Sequence, residues 1–413
     1  MGFSRGQALL VSIIVVMSPV MIDMHLPMLP TLENAFGVPA EATRQVVSIY
    51  LLGYALGQLL VGPLSDRIGR RPVILGGMAL LMIASFAALF ATSFTLLLTA
   101  RAIQAVGVCA ATVGARATVQ DVMPPREAAK IFSFMLMIGG IAPVIAPVVG
   151  SLLTAAAGWR GMFLLVILLA LLLFLAAARM LPESRTLSER LLARQENTLT
   201  SYRAVAANRL IQPYLIGAAF NLAAMFGFVS IAPALFTTQY GLNPNQLAVA
   251  LATIAVGLLI GGQAGQLLLA RFTPDAILRG STPLTLCSAL LMLVIGGTGA
   301  GGVYGLVACQ ALVTLTIAPV QANAMAITLG ADRQRAGSVA SLFGTAGFAF
   351  GGFASLLIGA LGGAQTASVV TVIAFCQLAT AALLMTGERV RRRHGCHIAS
   401  QQRPAEHRHD VST

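Results

Sequence analysis

Apolar runs of 18 residues or more recur along the chain, separated by short polar breaks. Twelve can be drawn, at 7–29, 45–64, 73–92, 95–119, 131–154, 161–180, 210–236, 246–270, 281–299, 302–328, 337–361 and 366–387. A nearly uncharged run of that length is what a single α-helix needs to cross a bilayer. The pattern predicts an all-α integral membrane protein with 12 transmembrane helices. The first run is too long for the core of a cleavable signal and carries Asp23 and Pro27, so it is read as a permanent span.

The longest polar break follows the sixth run and divides the chain into two sets of six, an arrangement expected of a transporter built from repeats. The expected organisation is an N-terminal six-helix bundle over 1–181, a linker over 182–209, a C-terminal six-helix bundle over 210–387, and a disordered polar tail over 388–413. A faint internal repeat supports it. Gly62, Leu64, Ile74, Leu75 and Gly77 fall on Gly265, Leu267, Ile277, Leu278 and Gly280, each pair 203 residues apart. The second copy has lost its polar residues, because Leu269 and Phe272 stand where Asp66 and Gly69 stand in the first.

Composition agrees with a membrane protein: of 413 residues 57% are apolar and only 10% charged. Charge placement orients the helices. Of 26 Lys and Arg, 22 fall on segments that share a side with the break at 62–72; Arg44 and Arg160 fall on the other side, and Arg101 and Arg116 lie within the fourth run. The excess marks the first side, with both termini, as cytoplasmic. The net charge of +12 is therefore a topology signal and not a nucleic-acid footprint, although tail arginines such as Arg391 can touch anionic lipid head groups. The five cysteines show no metal or disulfide spacing, no metal site is expected, and the tail histidines are not read as one. No G-x-S-x-G, H-E-x-x-H or phosphate-binding loop occurs in a sensible context, so no catalytic residue is expected and the chain is not read as an enzyme.

Candidate chemistry lies where polar residues interrupt the runs. Asp23 is the one acidic residue inside a span. A carboxylate in hydrocarbon costs about 2.5–3.5 kcal/mol, so it should face a polar cavity or a partner, unless it sits in head-group water at a helix end. His25, two residues on, turns to roughly the opposite side of the helix and is read as facing water at the outer end, with titration as the alternative. In the fourth run Arg101 and Gln104 lie at a depth similar to that of Asp23, about 9 Å from the outer end at ~1.5 Å per residue. Asp23 is the obvious compensation for Arg101, directly or through Gln104 and water. Tyr50, Tyr54 and Gln58 form a stripe in the second run, either a cavity wall able to stack on a planar substrate or interhelical packing. Asn221 and Phe226 are pocket candidates in the second half.

Three motifs carry a resemblance. Gly62-Pro63-Leu64-Ser65-Asp66-Arg67-Ile68-Gly69-Arg70-Arg71 resembles the signature loop between the second and third helices of the major facilitator superfamily, which forms part of the inner gate. Arg101-x-x-Gln104-x-x-Gly107 resembles the fourth-helix motif of its proton-coupled members. Ala142-Pro143-x-x-Ala146-Pro147-x-x-Gly150, with Gly139, Pro143 and Pro147 on one face, resembles the fifth-helix motif of its drug exporters, where the prolines bend the helix. With Asp23-Met24-x-Leu26-Pro27 and Arg116-Ala117-x-x-x-Asp121, these look like the bicyclomycin/chloramphenicol-resistance (Bcr/CflA) family, in which a tyrosine is common at the position of His25.

The resemblance implies a drug:proton antiporter of the bacterial cytoplasmic (inner) membrane. It would expel small amphipathic antibiotics such as chloramphenicol or bicyclomycin by alternating access, as a monomer driven by the proton gradient and without a cofactor. It further implies that Asp66 faces a helix end in the other half, and that Gly62, Asp66, Arg67, Gly69, Arg70 and Arg71 build the inner gate. Asp23 would carry the proton and Arg101 would tune it, since arginine does not release its own in this range. One intramembrane acid implies one proton per cycle. The alternative in the same superfamily is an exporter of an endogenous metabolite, such as an amino acid or its derivative.

Overall fold

The computed structural model describes residues 3–123, 125–195, 197–269, 271–332 and 335–401; most side chains of 125–144 and those of 394–401 fall outside the described set. All regular structure among these residues is helical.

The chain opens with α1 (Arg5–Asp23), held by a capping box in which Ser4 accepts from the Gln7 N–H and the Gln7 side chain accepts from the Ser4 N–H. α1 stops at Asp23 and passes through a 3₁₀ turn, Leu26–Met28, into α2 (Leu29–Phe36), which ends on the left-handed Gly37. The short α3 (Ala40–Thr43) leads into α4 (Gln45–Ile68), α5 (Arg70–Leu89), α6 (Phe94–Val122) and α7 (Pro125–Met180). α7 is two spans in one: at Gly158, φ 66 and ψ −175 take the backbone where a side chain would be strained, and the chain reverses there. After the linker helices α8 (Leu187–Gln195) and α9 (Thr198–Ala207) come α10 (Gln212–Ala234), which closes in a π turn, α11 (Pro244–Leu269), α12 (Pro274–Thr298), α13 (Gly302–Ala331), α14 (Ala336–Ala360) and α15 (Thr366–Gln401).

Eleven of the described stretches are long and apolar enough to cross a membrane, and the reversal at Gly158 accounts for the fifth and sixth runs being joined in one helix. The first is longer than expected, Arg5–Phe36, because the chain continues past Asp23 through the 3₁₀ turn. Large apolar side chains such as Ile83, Leu152, Val249 and Phe353 point outward, as a lipid-facing surface requires. The linker is not a bare connection, since α8 and α9 make most of it helical. Nor is the expected disordered tail unstructured from residue 388: α15 runs on to Gln401, and Arg391 donates to Asp275 of α12 at 2.7 Å. The tail's His394 and His397 side chains and residues 402–413 lie outside the described set.

Each half has its own core. Val11, Ile14, Tyr50, Tyr54 and Phe163 are buried in the first, and Phe228, Phe236, Leu306 and Ile373 in the second. Small residues set the helix spacing, since backbones without a Cβ between them can approach closely. A Cβ on Gly53 would lie 2.6 Å from the Ala102 carbonyl, and one on Gly57 2.8 Å from Cys109, so α4 lies tight on α6. In the second half Gly257 and Gly261 meet the Ala311 and Leu315 carbonyls in the same manner, bringing α11 onto α13.

The halves meet along α4 and α14. At one end Ser48 is hydrogen-bonded to Ser355, and at the other Ser341 donates to the Gln58 carbonyl at 2.7 Å. Between them Thr345 donates to the Ala55 carbonyl at 3.3 Å, and the Gln58 side chain lies against Gly344.

Candidate functional site

Two polar clusters stand out, one near each end of the first half. The first surrounds Arg101, which is fully buried on α6. Its guanidinium donates to Gln104 Oε1 at 3.1 Å and to the Met21 carbonyl at 3.3 Å, and lies 4.5 Å above the Tyr50 ring. A cation over an aromatic face gains about 2 kcal/mol when desolvated, which offsets part of the cost of burial. Gln104 passes its own amide hydrogen to Ser85 Oγ at 2.7 Å, and Ser85 donates to the Leu81 carbonyl. The Met21 carbonyl is two residues from Asp23, so the depth match between Arg101 and the end of α1 holds. Among the described residues, however, the two charges form no ion pair. Asp23 is partly buried and has no hydrogen-bond partner there.

His25 does not face water. It is 0% exposed, its ring packs 5.5 Å from that of Phe163, and neither ring nitrogen has a hydrogen-bond partner among the described residues. The reason lies in the turn after Asp23, which folds residues 24–28 back against α7. A Cβ on Gly150 would run into the Met24 carbonyl, so the last glycine of the fifth-helix motif seats that turn directly. Pro147 is partly buried, the buried face of the motif is Ala142, Ala146 and Gly150, and the side chain of Pro143 lies outside the described set. Gly139 is partly buried, and the backbone of α7 stays helical through both prolines, departing from helical geometry at Gly158.

The Tyr50, Tyr54 and Gln58 stripe reaches across the molecule. Tyr50 stacks on Tyr54 at 6.3 Å, Tyr54 packs on Phe348 of α14 at 4.3 Å, and Phe348 stacks on Phe226 of α10 at 5.3 Å. Tyr54 is also anchored to Thr112 through its hydroxyl at 2.8 Å. An aromatic ladder thus runs from Arg101 to the second half, and it brings Phe226 to the site. Asn221 is not part of it. Its amide instead donates to Thr316 at 3.1 Å and Gln377 at 3.5 Å inside the second bundle. Phe348 was not picked out from sequence, and nothing in its local pattern marks it; only the packing of α14 on α4 brings it to Tyr54.

The second cluster is the loop between α4 and α5. Arg70 meets Asp66 at 2.8 Å, Asp121 of α6 at 2.8 Å and Ser65 at 3.0 Å. Asp66 is joined by Arg185 of the linker at 3.3 Å. Its partners are therefore its own loop and the linker, where the resemblance implied a helix end of the other half. The linker closes over the loop at further points. Glu183 accepts the backbone N–H groups of Arg70 at 2.9 Å and Arg71 at 3.3 Å, which are unpaired donors at the start of α5. Arg67 donates to Thr198 at 3.1 Å, Arg71 to the Ala178 carbonyl at 2.6 Å, and Arg190 to the Ile68 carbonyl at 3.3 Å. Gly69, at φ 108, is the one residue type that fits, since a Cβ there would press on the Glu183 carboxylate. Gly62 faces Ser341 of α14. Tyr202 of α9 completes the junction between the halves, donating to the Leu59 carbonyl at 2.9 Å and sharing a hydrogen bond with Ser341 at 3.0 Å. Burial pushes its phenol above the usual range and keeps it a neutral donor.

Over residues 11–356 the sequence matches the family model described as the Major Facilitator Superfamily. The chain belongs to the major facilitator superfamily. It is accordingly a multi-pass membrane transporter of small molecules, not an enzyme, in a superfamily whose members generally need no cofactor. It is similar to a chloramphenicol resistance protein of Pseudomonas aeruginosa, 29% identical over 82% of this chain and 78% of that one. It is also similar to the multidrug resistance protein MdtL of Citrobacter koseri, 27% identical over 90% of this chain and 93% of that one. An uncharacterized transporter of the same superfamily from Bacillus subtilis, YdgK, is 27% identical over 85% and 88%. Among solved structures a D-xylose-proton symporter superposes with a TM-score of 0.70 at 16% identity, covering 92% of this chain and 96% of that one. That likeness speaks for the two-bundle fold alone. The drug-resistance relatives agree with the resemblance that the motifs carry.

Proposed function

We propose that this transporter is a drug:proton antiporter of the bacterial cytoplasmic membrane, with both termini and the Asp66 loop on the cytoplasmic side. It expels small amphipathic compounds such as chloramphenicol by alternating access, as a monomer. The observation that carries this reading is Asp23, a carboxyl group within a membrane span, partly open and without a partner among the described residues, set two residues from the carbonyl that Arg101 occupies. A carboxylate left unpaired at that depth is costly unless it can take up a proton or a cationic ligand. Arg101 stays charged throughout the cycle, so it can compensate Asp23 but cannot carry its proton. The aromatic ladder from Tyr50 to Phe226 is buried here, and parting it would present flat apolar faces to a ring-bearing substrate; the drug-resistance names of the relatives favour that class. Proton and substrate compete for the region around Asp23, one proton per cycle.

The test is transport in proteoliposomes under an imposed pH gradient, with chloramphenicol and a lipophilic cation as probes, for wild type and Asp23→Asn. Gradient-driven movement of either probe by wild type, lost in the variant, supports the reading. Movement of neither probe by wild type shifts the assignment to export of an endogenous metabolite. A variant that still couples places the proton elsewhere.

A further inference from the structure

The linker helix α8 has a side that the inner-gate loop does not use. Leu187, Leu191 and Leu192 are exposed to 71%, 48% and 63%, and Leu199 at the start of α9 to 58%. Large apolar side chains grouped on an otherwise polar segment mark a surface that something covers. The helix has its own start signal. Thr186 and Glu189 make a capping box, the Glu189 carboxylate accepting the Thr186 N–H at 2.8 Å and the Thr186 hydroxyl accepting the Glu189 N–H at 3.3 Å. Yet with nine residues α8 cannot hold in water by propensity, since isolated helices below about 12–15 residues are marginal. Its opposite side is already seated. Arg190 and Ala193 are partly buried, Arg190 donating to the Ile68 carbonyl at 3.3 Å and the Ala193 carbonyl accepting from Arg67 at 3.4 Å.

The tethers of α8 fix its depth. Ile68 is the last residue of the span Gln45–Ile68, along which Leu56, Leu60, Leu64 and Ile68 form one exposed row, the lipid-facing side of α4. Arg190 therefore holds α8 at the level where that row meets the head groups. On the other side only residues 181–186 separate α8 from Met180, where the span Ile145–Met180 ends. Leucines at this level meet acyl chains and glycerol, as they do in helices that lie in the plane of the interface. Charge favours the same occupant. Residues 179–209 carry six Arg and three Glu, and Arg179 and Arg203 are exposed, which suits the anionic head groups of a cytoplasmic leaflet.

We propose that α8 is an interfacial helix whose leucine side lies in the boundary between acyl chains and head groups of the leaflet on the side of the Asp66 loop. Bilayer and inner-gate loop thus hold opposite sides of one helix. Glu183 and Arg185, which bind the backbone of Arg70 and the carboxylate of Asp66, stand just before α8, so seating the leucines in lipid keeps both over the loop. Opening the loop has to peel the leucines from the boundary or drag α8 along it. The gate is then sensitive to the lipid at its rim, whatever the substrate.

Trp159 is the one tryptophan of the chain, so Trp159→Phe gives a background for a single reporter. Leu191→Trp and Glu189→Trp are placed in it separately, on roughly opposite sides of α8. Each full-length protein is reconstituted into vesicles containing phosphatidylglycerol, with the acyl chains brominated near the glycerol. Leu191→Trp is expected to emit at shorter wavelength and to be quenched by bromine several-fold more strongly than Glu189→Trp. Water-like emission at both positions, quenched by iodide, leaves α8 in solvent and overturns the proposal. Short-wavelength emission of Leu191→Trp without bromine quenching overturns it in favour of a protein cover, a second copy above all. Equal bromine quenching of the two overturns the sided seating. A second measurement needs no reporter: hydrogen exchange of the α8 backbone in the same vesicles, for wild type and Leu187→Gln/Leu191→Gln/Leu192→Gln. The triple variant is expected to exchange about tenfold faster, and equal rates overturn the proposal. Neither readout involves transport, so both are independent of the antiport reading.

Discussion

The two halves of this transporter share their packing and differ in where they place their charges. Gly53 and Gly57 seat α4 on Ala102 and Cys109 of α6, and Gly257 and Gly261 seat α11 on Ala311 and Leu315 of α13. The register matches to the residue at the first contact: Arg101 precedes Ala102 as Gln310 precedes Ala311. Yet Arg101 is stacked on Tyr50 and hydrogen-bonded to Gln104 and the Met21 carbonyl, whereas Gln310 is fully buried with neither amide atom paired among the described residues. The loops after these helices diverge in the same way. The first is tied by Arg70, Asp66, Asp121 and the linker, while the corresponding turn of the second carries Leu269 and Phe272. Backbone spacing is thus shared by both repeats, while the ionic cluster at the turn after the glycine-bearing helix is described in the first alone, the second half placing its ion pairs elsewhere, as in Arg391 with Asp275.

This comparison can be broken. The largest effect should come from leucine at Gly53 or at Gly257. Each forces a side chain onto a facing carbonyl, and each is expected to cost about 3 kcal/mol or more, read as denaturant stability in mixed micelles. Tolerance of one but not the other would mean that the halves do not share their packing. Arg70→Ala should follow, at about 1–2 kcal/mol, because it leaves Asp66 to Arg185 and Asp121 to Ser184 alone, both carboxylates being partly exposed. Arg271→Ala, on the exposed turn of the second half, should stay within about 0.5 kcal/mol. Equal losses at both would show that the second loop has an ionic role of its own.

Next in size is Gln310→Met, which removes two unpaired amide atoms at similar volume and should stabilise the protein by about 1 kcal/mol. Destabilisation by that amount would reveal a partner for the amide, a bound water above all. Smallest is Tyr202→Phe, which deletes the hydrogen bonds to Leu59 and Ser341. About 1 kcal/mol is expected, and it should appear as faster labelling of a cysteine introduced at Ser341, with little change in unfolding.

How much of this was legible beforehand follows from which contacts are local. Runs of apolar residues state span number and order directly, so the helical succession was readable, including the two runs that Gly158 joins. The depth match of Arg101 with the end of α1 needed only the rise of a helix, and the Met21 contact bears it out. The burial of His25 was not readable by extending α1, because α1 ends two residues earlier and α7 covers the turn that follows. The partners of Asp66 were half legible: Arg70 sits one turn away on the same stretch, but Arg185 arrives from a linker whose polar composition says nothing of where it folds back. Phe348 illustrates the rest. A phenylalanine in a run of glycine and alanine reads as lipid contact until two bundles are brought together. The paired G-x-x-x-G spacings at Gly53–Gly57 and Gly257–Gly261 are the one signal in plain sight that would have located helix contacts in both halves.

The seam along α4 and α14 carries a consequence for timing. Its described polar contacts, Ser48 with Ser355, Thr345 with Ala55 and Ser341 with Gln58 and Tyr202, are hydroxyl bonds and not ion pairs. A neutral bond of this kind shifts an equilibrium by about five- to tenfold. Parting one end of the seam therefore trades only one or two decades of population, a ratio that a single bound proton or drug molecule can reverse. Closure by charge would have made a deeper well and a slower pump.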